Sequence, residues 1–287
     1  MMKKYIAWIS LLLLLVLIIT TIVGVNSLYT AQFDKTKSME ADQINDITVI
    51  SDITDVHLSL SSDHQVHAKI TGTASRLSDY DVFLLADKDH LHVRAIENNA
   101  AMSLLSLNKS VRLQIDLPAD KLRNVNIQTK FGSVYADQPL KANTLQFKSD
   151  LGGIYLDSYI GQQLTADSTL GNIQIMRLEG NASLNTSAGH VTIKEWQPLT
   201  GHNRILTNKG DIKVGLTASA KALFFHLYSN GVVRTDLDAA FTPSAASLSQ
   251  FGMNQIAGSL GEATDHNAQL EISSDTGKII LNQNEIP

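Results

Sequence analysis

Val125-Asn126-Ile127-Gln128-Thr129-Lys130-Phe131-Gly132-Ser133-Val134-Tyr135-Ala136 holds one complete copy of the pattern that organises this chain. Two short runs alternate apolar and polar residues, and a glycine lies between them. The arrangement returns around Gly152, Gly171, Gly189, Gly210, Gly231 and Gly277, each followed two residues later by valine or isoleucine. The first six glycines are spaced 20, 19, 18, 21 and 21 residues apart, and the seventh follows after 46. A period near 20 belongs to a solenoid, in which one repeat cannot bury its apolar face alone and stacks on copies of itself.

The alternation says which side chains face inward. Positions two and four after the glycine are apolar in Val134/Ala136, Ile154/Leu156, Ile173/Ile175, Val191/Ile193, Ile212/Val214 and Ile279/Leu281. The residue between them is Tyr135, Tyr155, Gln174, Thr192 or Lys213 in the first five. Before the glycine the same rhythm appears in Val125/Ile127, Leu145/Phe147, Leu164/Ala166 and Leu270/Ile272. Period-two alternation means one buried face and one wet face, and the β-branched content suits strands. The glycines are expected at chain reversals, where φ values costly to other residues are needed. A serine or threonine two or three residues earlier (Thr129, Ser149, Ser168, Ser187, Thr207, Ser229, Ser274) is expected to bond the exposed turn backbone.

Strands of successive coils stack about 4.8 Å apart, so seven coils make a rod of roughly 30 Å. A βαβ arrangement fails because no repeat has room for a crossover helix of about a dozen residues. The predicted fold is all-β: a parallel β-solenoid over residues 122–287, right-handed by the usual crossover preference. The sixth repeat is imperfect, since Phe225 and Leu227 point inward but Thr235 occupies the second apolar position after the glycine. Residues 236–267 are read as an insertion, a loop plus a short helix laid over the solenoid as a partial cap. A partner-docking flap is the other reading. Solenoid ends need cover because an open coil templates aggregation.

Residues 6–25 form an apolar run without charge, the length of a bilayer-spanning helix. Lys3 and Lys4 precede it, which predicts residues 1–5 in the cytoplasm and the remainder outside, in a single-pass topology. A cleaved signal peptide ending near Val25-Asn26-Ser27 is the competing reading. Residues 26–42 are expected as a stalk. Residues 43–121 are expected as an irregular β-rich N-terminal region, with strands at 47–50, 56–60, 66–70, 82–85, 91–96 and 111–117 and a helical turn or loop at 98–108. The chain has no cysteine, which excludes disulfides, thiolate metal sites and lipidation at a cysteine. Its net charge of −5 becomes −7 beyond Lys3 and Lys4, which argues against nucleic acid as a partner.

The run Val111-Arg112-Leu113-Gln114-Ile115-Asp116-Leu117-Pro118, followed by the repeats from Val125, resembles a bacterial domain family provisionally named for adhesins. That family has no known function and is common in envelope proteins; the likeness covers roughly residues 45–283. The anchor-plus-domain layout is similar to that of LiaG-like proteins, which are membrane-anchored and encoded with envelope-stress systems of Gram-positive bacteria. The resemblance implies no catalytic residues, so none is carried over.

Chemistry is sparse in the sequence. His57, His64, His67, His90 and His92 lack the third and fourth ligands of a metal site and read as surface histidines. Asp79/Asp81 and Asp87/Asp89 lack the glycine and distal glutamate of a calcium loop. No metal and no cofactor is expected. Asp137 and Asp157 share one repeat position, which places them near 5 Å apart in stacked coils, a spacing that retaining glycosidases use. They read first as turn residues. Tyr135 and Tyr155 stack likewise and offer a small sugar-binding face.

The expected function is therefore non-enzymatic: a membrane-anchored extracytoplasmic β-solenoid acting as an interaction or scaffold module at the cell envelope. Envelope or membrane proteins are the expected partners, and the module is accessory to a stress response. The alternatives are a wall polysaccharide-binding or hydrolysing protein using Tyr135, Tyr155, Asp137 and Asp157, and a self-associating structural element.

Overall fold

The computed structural model of the chain describes residues 11–17, 20–21, 30–52, 54–76, 78–98, 110–118, 122–197, 201–218, 222–241, 254–261 and 268–283. The first strands are β1 (Thr30–Glu40), β2 (Asp46–Ser51), β3 (Asp55–Ser61), β4 (Gln65–Ser75), β5 (Asp79–Asp87), β6 (His90–Asn98) and β7 (Ser110–Pro118). The middle holds β8 (Asn124–Phe131), β9 (Val134–Ala136), β10 (Leu140–Lys141), β11 (Thr144–Leu151), β12 (Ile154–Leu170), β13 (Ile173–Ala188) and β14 (Val191–Gln197). The last are β15 (His202–Lys209), β16 (Ile212–Leu216), β17 (Leu223–Ser229), β18 (Val233–Thr235), β19 (Ala240–Phe241), β20 (Asn254–Leu260), β21 (Ala268–Thr276) and β22 (Ile279–Gln283).

Two parallel ladders carry the repeats. On the first face β6, β2, β8, β11, the second half of β12, the second half of β13, β15, β21 and β17 pair in that order. On the second face the order is β7, β3, β9, β12, β13, β14, β16, β22 and β18. The registers put the predicted apolar positions into columns. One runs Val56, Val134, Ile154, Ile173, Val191, Ile212, Ile279, and every member is fully buried. A third inward column, Leu140, Tyr159, Leu178, Trp196 and Leu216, closes the coil on its remaining side.

Repeat-on-repeat parallel stacking is thus present, but the sheet departs from a plain solenoid. All 22 described strands join one barrel-like sheet, because β12 and β13 run unbroken from one face to the other and antiparallel strands are added at both ends. The backbone crowds at the bend. A Cβ on Gly161 would meet the Ala142 carbonyl oxygen at 2.0 Å, and Tyr159 Oη sits 2.9–3.0 Å from the carbonyls of Ala142, Asn143 and Gln163.

The chain order differs from the spatial order at both ends. β21 and β22, last in sequence, insert between β15/β16 and β17/β18, so the seventh repeat lies inside the sixth. This accounts for the 46-residue interval: the chain builds the outermost coil, reverses through β20, and returns to the interior place. β20 covers β17 as an antiparallel strand, so the cap expected as a loop and helix is a strand where it is described; residues 242–253 and 262–267 lie outside the described residues. At the other end β2 and β3 form a coil in register with β8 and β9, outside which lie β6 and β7, covered by β5 and β4. The regular array therefore begins at Asp46 rather than at 122; Thr54 stands where later coils carry glycine, which hid this coil from the periodicity. Both termini of the array are inserted between strands, and the outermost strands β6, β7 and β17 are each covered by an antiparallel strand, which blunts those edges.

Two local expectations are corrected. Of the repeat glycines only Gly210 has a φ in the left-handed region, +146°. The common reason is space: the Cβ of a residue at 152, 171 or 189 would lie 2.1–2.2 Å from the glycine carbonyl oxygen of the coil beneath. The hydroxyls serve mainly otherwise too: Ser229 accepts from Gly231 N of its own turn at 2.8 Å, but the shared role is a bond to the neighbouring coil. They are buried, and they donate across coils: Ser149 to Gly132 O at 3.0 Å, Ser168 to Gly152 O at 2.9 Å, Thr186 to Gly171 O at 2.9 Å, and Ser274 to Gly210 O at 2.9 Å. Thr186, not the exposed Ser187, fills this column. Thr186→Val keeps the shape and strands the half-buried Gly171 carbonyl, so chemical denaturation should show a loss of about 1 kcal/mol or more, against under about 0.5 for Ser187→Ala.

Residues 30–40 of the expected stalk are the edge strand β1, paired with β4 along its full length. Lys35 and Lys69 pair with Asp79 and Asp34 at 2.7 and 2.8 Å, and Phe33 stacks on Tyr80 at 5.0 Å. Of the predicted membrane run, residues 11–17 and 20–21 are described and helical. Among the described residues no helix is long and apolar enough to cross a membrane. The remainder of 6–25, and residues 99–108 of the predicted turn or loop, lie outside the described residues.

Candidate functional site

The outward residue between two buried positions of the second face is His57 in β3, Tyr135 in β9 and Tyr155 in β12. Parallel register stacks their rings, His57 on Tyr135 at 4.6 Å and Tyr135 on Tyr155 at 5.1 Å, with interplanar angles of 18° and 11°. The backbone beneath is held coil to coil by a second polar column. Asp55 Oδ1 accepts from Ser133 N, Ser133 Oγ from Gly153 N, Asn172 Oδ1 from His190 N, and Asp211 Oδ1 from Lys278 N. The rings are therefore fixed by the sheet rather than by one another. Burial, then the guanidinium of Arg112, lowers the His57 pKa, which favours the neutral ring; Asp55 and Asp137 oppose this. Burial, then Tyr135, raises the Tyr155 phenol.

Beside the rings lies an open cavity of about 210 Å³ lined by Asp137, Tyr155, Asp157, Gln174 and Met176. The structure brings together all four sequence-selected surface residues: Tyr135 stacks on Tyr155, and the two acids rim the cleft. His57 extends the column and was not assigned to it from sequence, because β3 belongs to a coil without the glycine. The arrangement presents flat ring faces and two carboxylates to a ligand lying along the stacking direction.

The remaining histidines and acids are dispersed. His67 Nε2 lies 3.0 Å from Asp63 Oδ1 and its Nδ1 2.7 Å from Ser38 Oγ, on the exposed rim of β1 and β4. His90 stacks on His92 at 4.3 Å and bonds Thr48 at 2.9 Å. Asp79 and Asp81 pair with Lys35 and Lys37. Among the described residues no group of three or more histidines and acids is gathered to hold a metal ion.

A larger groove, of about 520 Å³, lies on the first face near the outermost C-terminal coil. Outward residues of three adjacent strands line it: His202 and Arg204 from β15, Gln269 and Glu271 from β21, and Phe224, His226 and Tyr228 from β17. Sequence reasoning missed it. The outward aromatic residues of β17 are visible as the alternates of Phe225 and Leu227, but their neighbours follow only from the insertion of β21 between β15 and β17.

Stacked, mutually pinned β coils with open side faces define a repeat-built all-β module. The chain belongs to the Toastrack DUF4097 family, whose model matches residues 44–250. β21 and β22 lie beyond that match, although they occupy interior places in the array. No curated protein matches this chain. Among solved structures it is similar to a provisionally named cell adhesion protein from Clostridium sporogenes, at 14% identity over 88% of this chain and 100% of that one, TM-score 0.39. A provisionally named adhesin from Bacteroides fragilis is similar at 12% identity over 88% and 97%, TM-score 0.38. A protein from Parabacteroides distasonis with the provisional name of lipid binding protein is similar at 11% over 88% and 97%, TM-score 0.33.

Proposed function

We propose that this protein is a non-enzymatic interaction module of the bacterial cell envelope, tethered by residues 6–25 with its β array outside the membrane. It works as an accessory to envelope-stress systems, in the manner of LiaG-like proteins. The observation that carries the interaction reading is the His57–Tyr135–Tyr155 column, three half-buried rings held in register by a hydrogen-bonded backbone. Rigid aromatic faces lose little conformational freedom on binding and are favoured at contact surfaces. The tether is supported by the apolar run with Lys3 and Lys4 before it, and by Leu11–Leu15 and Leu17, all more than half exposed in the helix and suited to cover by lipid.

A photo-activated crosslinker at position 155 of the full-length chain, in cells under envelope stress, tests this. A discrete adduct is expected at 155, abolished by His57→Ala/Tyr135→Ala and absent with the crosslinker at Lys213 on the same face. No adduct at 155 under any stress would remove the reading. The cleft favours a second one, polysaccharide binding or cleavage at Tyr155, Asp137 and Asp157. Cleavage of wall polymer by the purified protein, lost in Asp137→Asn, would put that reading first.

A further inference from the structure

We infer that the groove across β15, β21 and β17 is a binding site for a neutral oligosaccharide, separate from the aromatic column on the other face. Its volume, about 520 Å³, is that of a ligand site rather than a surface dimple. The lining joins two ring faces, Phe224 and Tyr228, to planar hydrogen-bonding groups on Arg204, Gln269, Glu271 and His226. Sugars need this combination: C–H faces that pack on rings, and rims of hydroxyls that accept and donate. Tyr228 Oη lies 3.3 Å from His226 Nδ1, and the two rings meet edge to face at 6.1 Å, so this corner is pre-set.

Two further features narrow the ligand class. Arg204 and Glu271, the lining residues of permanent charge, pair with one another at 3.3 Å, so the groove offers no surplus charge to an anionic polymer or lipid headgroup. All three strands are paired on both edges: β15 with β13 and β21, β21 with β15 and β17, β17 with β21 and β20. No backbone edge is open to an added peptide strand, so the occupant is held by side chains alone. Phe224 and Tyr228 are four residues apart on one strand, about 13 Å. That exceeds one sugar ring, so the ligand spans several.

Calorimetry on the full-length chain in a sugar-free detergent tests the assignment, with tetramers of β-1,4-linked N-acetylglucosamine and of β-1,4-linked glucose as probes and polyglycerol phosphate as the anionic control. Saturable binding of at least one neutral tetramer is expected, with the single sugar at least tenfold weaker. Phe224→Ala and Tyr228→Ala should each weaken it about tenfold, and Tyr155→Ala should leave it unchanged. Gln269→Ala, an exposed change that spares the rings and the packing, should also weaken it. Binding of neither tetramer, binding of polyglycerol phosphate alone, equal binding by the groove variants, or loss in Tyr155→Ala would each overturn the inference. Apart from a loss in Tyr155→Ala, which would move the sugar to the cleft on the other face, none of these outcomes bears on the crosslinking result at position 155.

Discussion

Replacing Ile173 with glutamate is expected to abolish cooperative unfolding of the full-length chain at pH 7. Ile173 is fully buried, lies between Ile154 and Val191 in its column, and has apolar neighbours on the adjoining coils. A carboxylate there loses hydration and finds no partner, a cost of several kcal/mol even after relaxation. Native stability is only about 5–15 kcal/mol, and a single substitution above about 4–5 is exceptional. The pH dependence identifies the cause. Burial raises the folded-state pKa of the introduced acid above its unfolded value of about 4.3, so the folded form binds more protons and the defect grows as pH rises from that value through the raised one. Circular dichroism and protease resistance should therefore recover in part as pH falls below the raised folded-state value, relative to wild type at the same pH, with the recovery complete by about pH 4.3. Ile173→Val, which removes one methylene, should cost about 0.5–1.5 kcal/mol. Unchanged melting of Ile173→Glu would mean that the column faces water, and the stacked array would be wrong.

Gly171→Ala should destabilise by about 3–5 kcal/mol, combining overpacking with a broken buried hydrogen bond. The new Cβ would lie 2.2 Å from the Gly152 carbonyl oxygen and 2.5 Å from its carbon, both backbone atoms. That carbonyl cannot swing aside freely, because Ser168 Oγ holds it at 2.9 Å. Relief requires the two coils to part, which strains Ile154 N to Asn172 O at 2.8 Å and Gly152 N to Leu170 O at 3.0 Å. Alanine in place of an ordinary turn glycine costs far less, so urea denaturation separates the steric cause from the conformational one. Gln174→Ala, exposed and three residues away, is the control and should shift stability by less than about 0.5 kcal/mol. A loss of 1 kcal/mol or less at Gly171 would show that the stacking distance is not limited by the glycine.

The inward columns were legible because burial on one face of a strand imposes a period of two, and identical coils impose a period near twenty. Tyr135, Tyr155, Asp137 and Asp157 could be selected for the same reason: equal positions in successive coils become neighbours. His57 escaped because its coil has Thr54 where the others have glycine, and the coil is separated in sequence from β8 by four intervening strands. The groove escaped because it depends on which coil lies next to which. Phe224 neighbours Gln269 and Gln269 neighbours His202 only once β21 is inserted between β17 and β15.

By itself the sequence determined the all-β class, the identity of most buried side chains, and the stacking of the glycine repeats, since these follow from local alternation and repetition. The tertiary structure alone decided the order of the coils at both ends, the barrel-like joining of the strands and the places of Thr186 and Gly161. These depend on contacts between segments distant along the chain and on ångström-scale crowding between backbones. Alternating hydrophobicity tells a strand which side to bury; it does not say which strand will lie beside it.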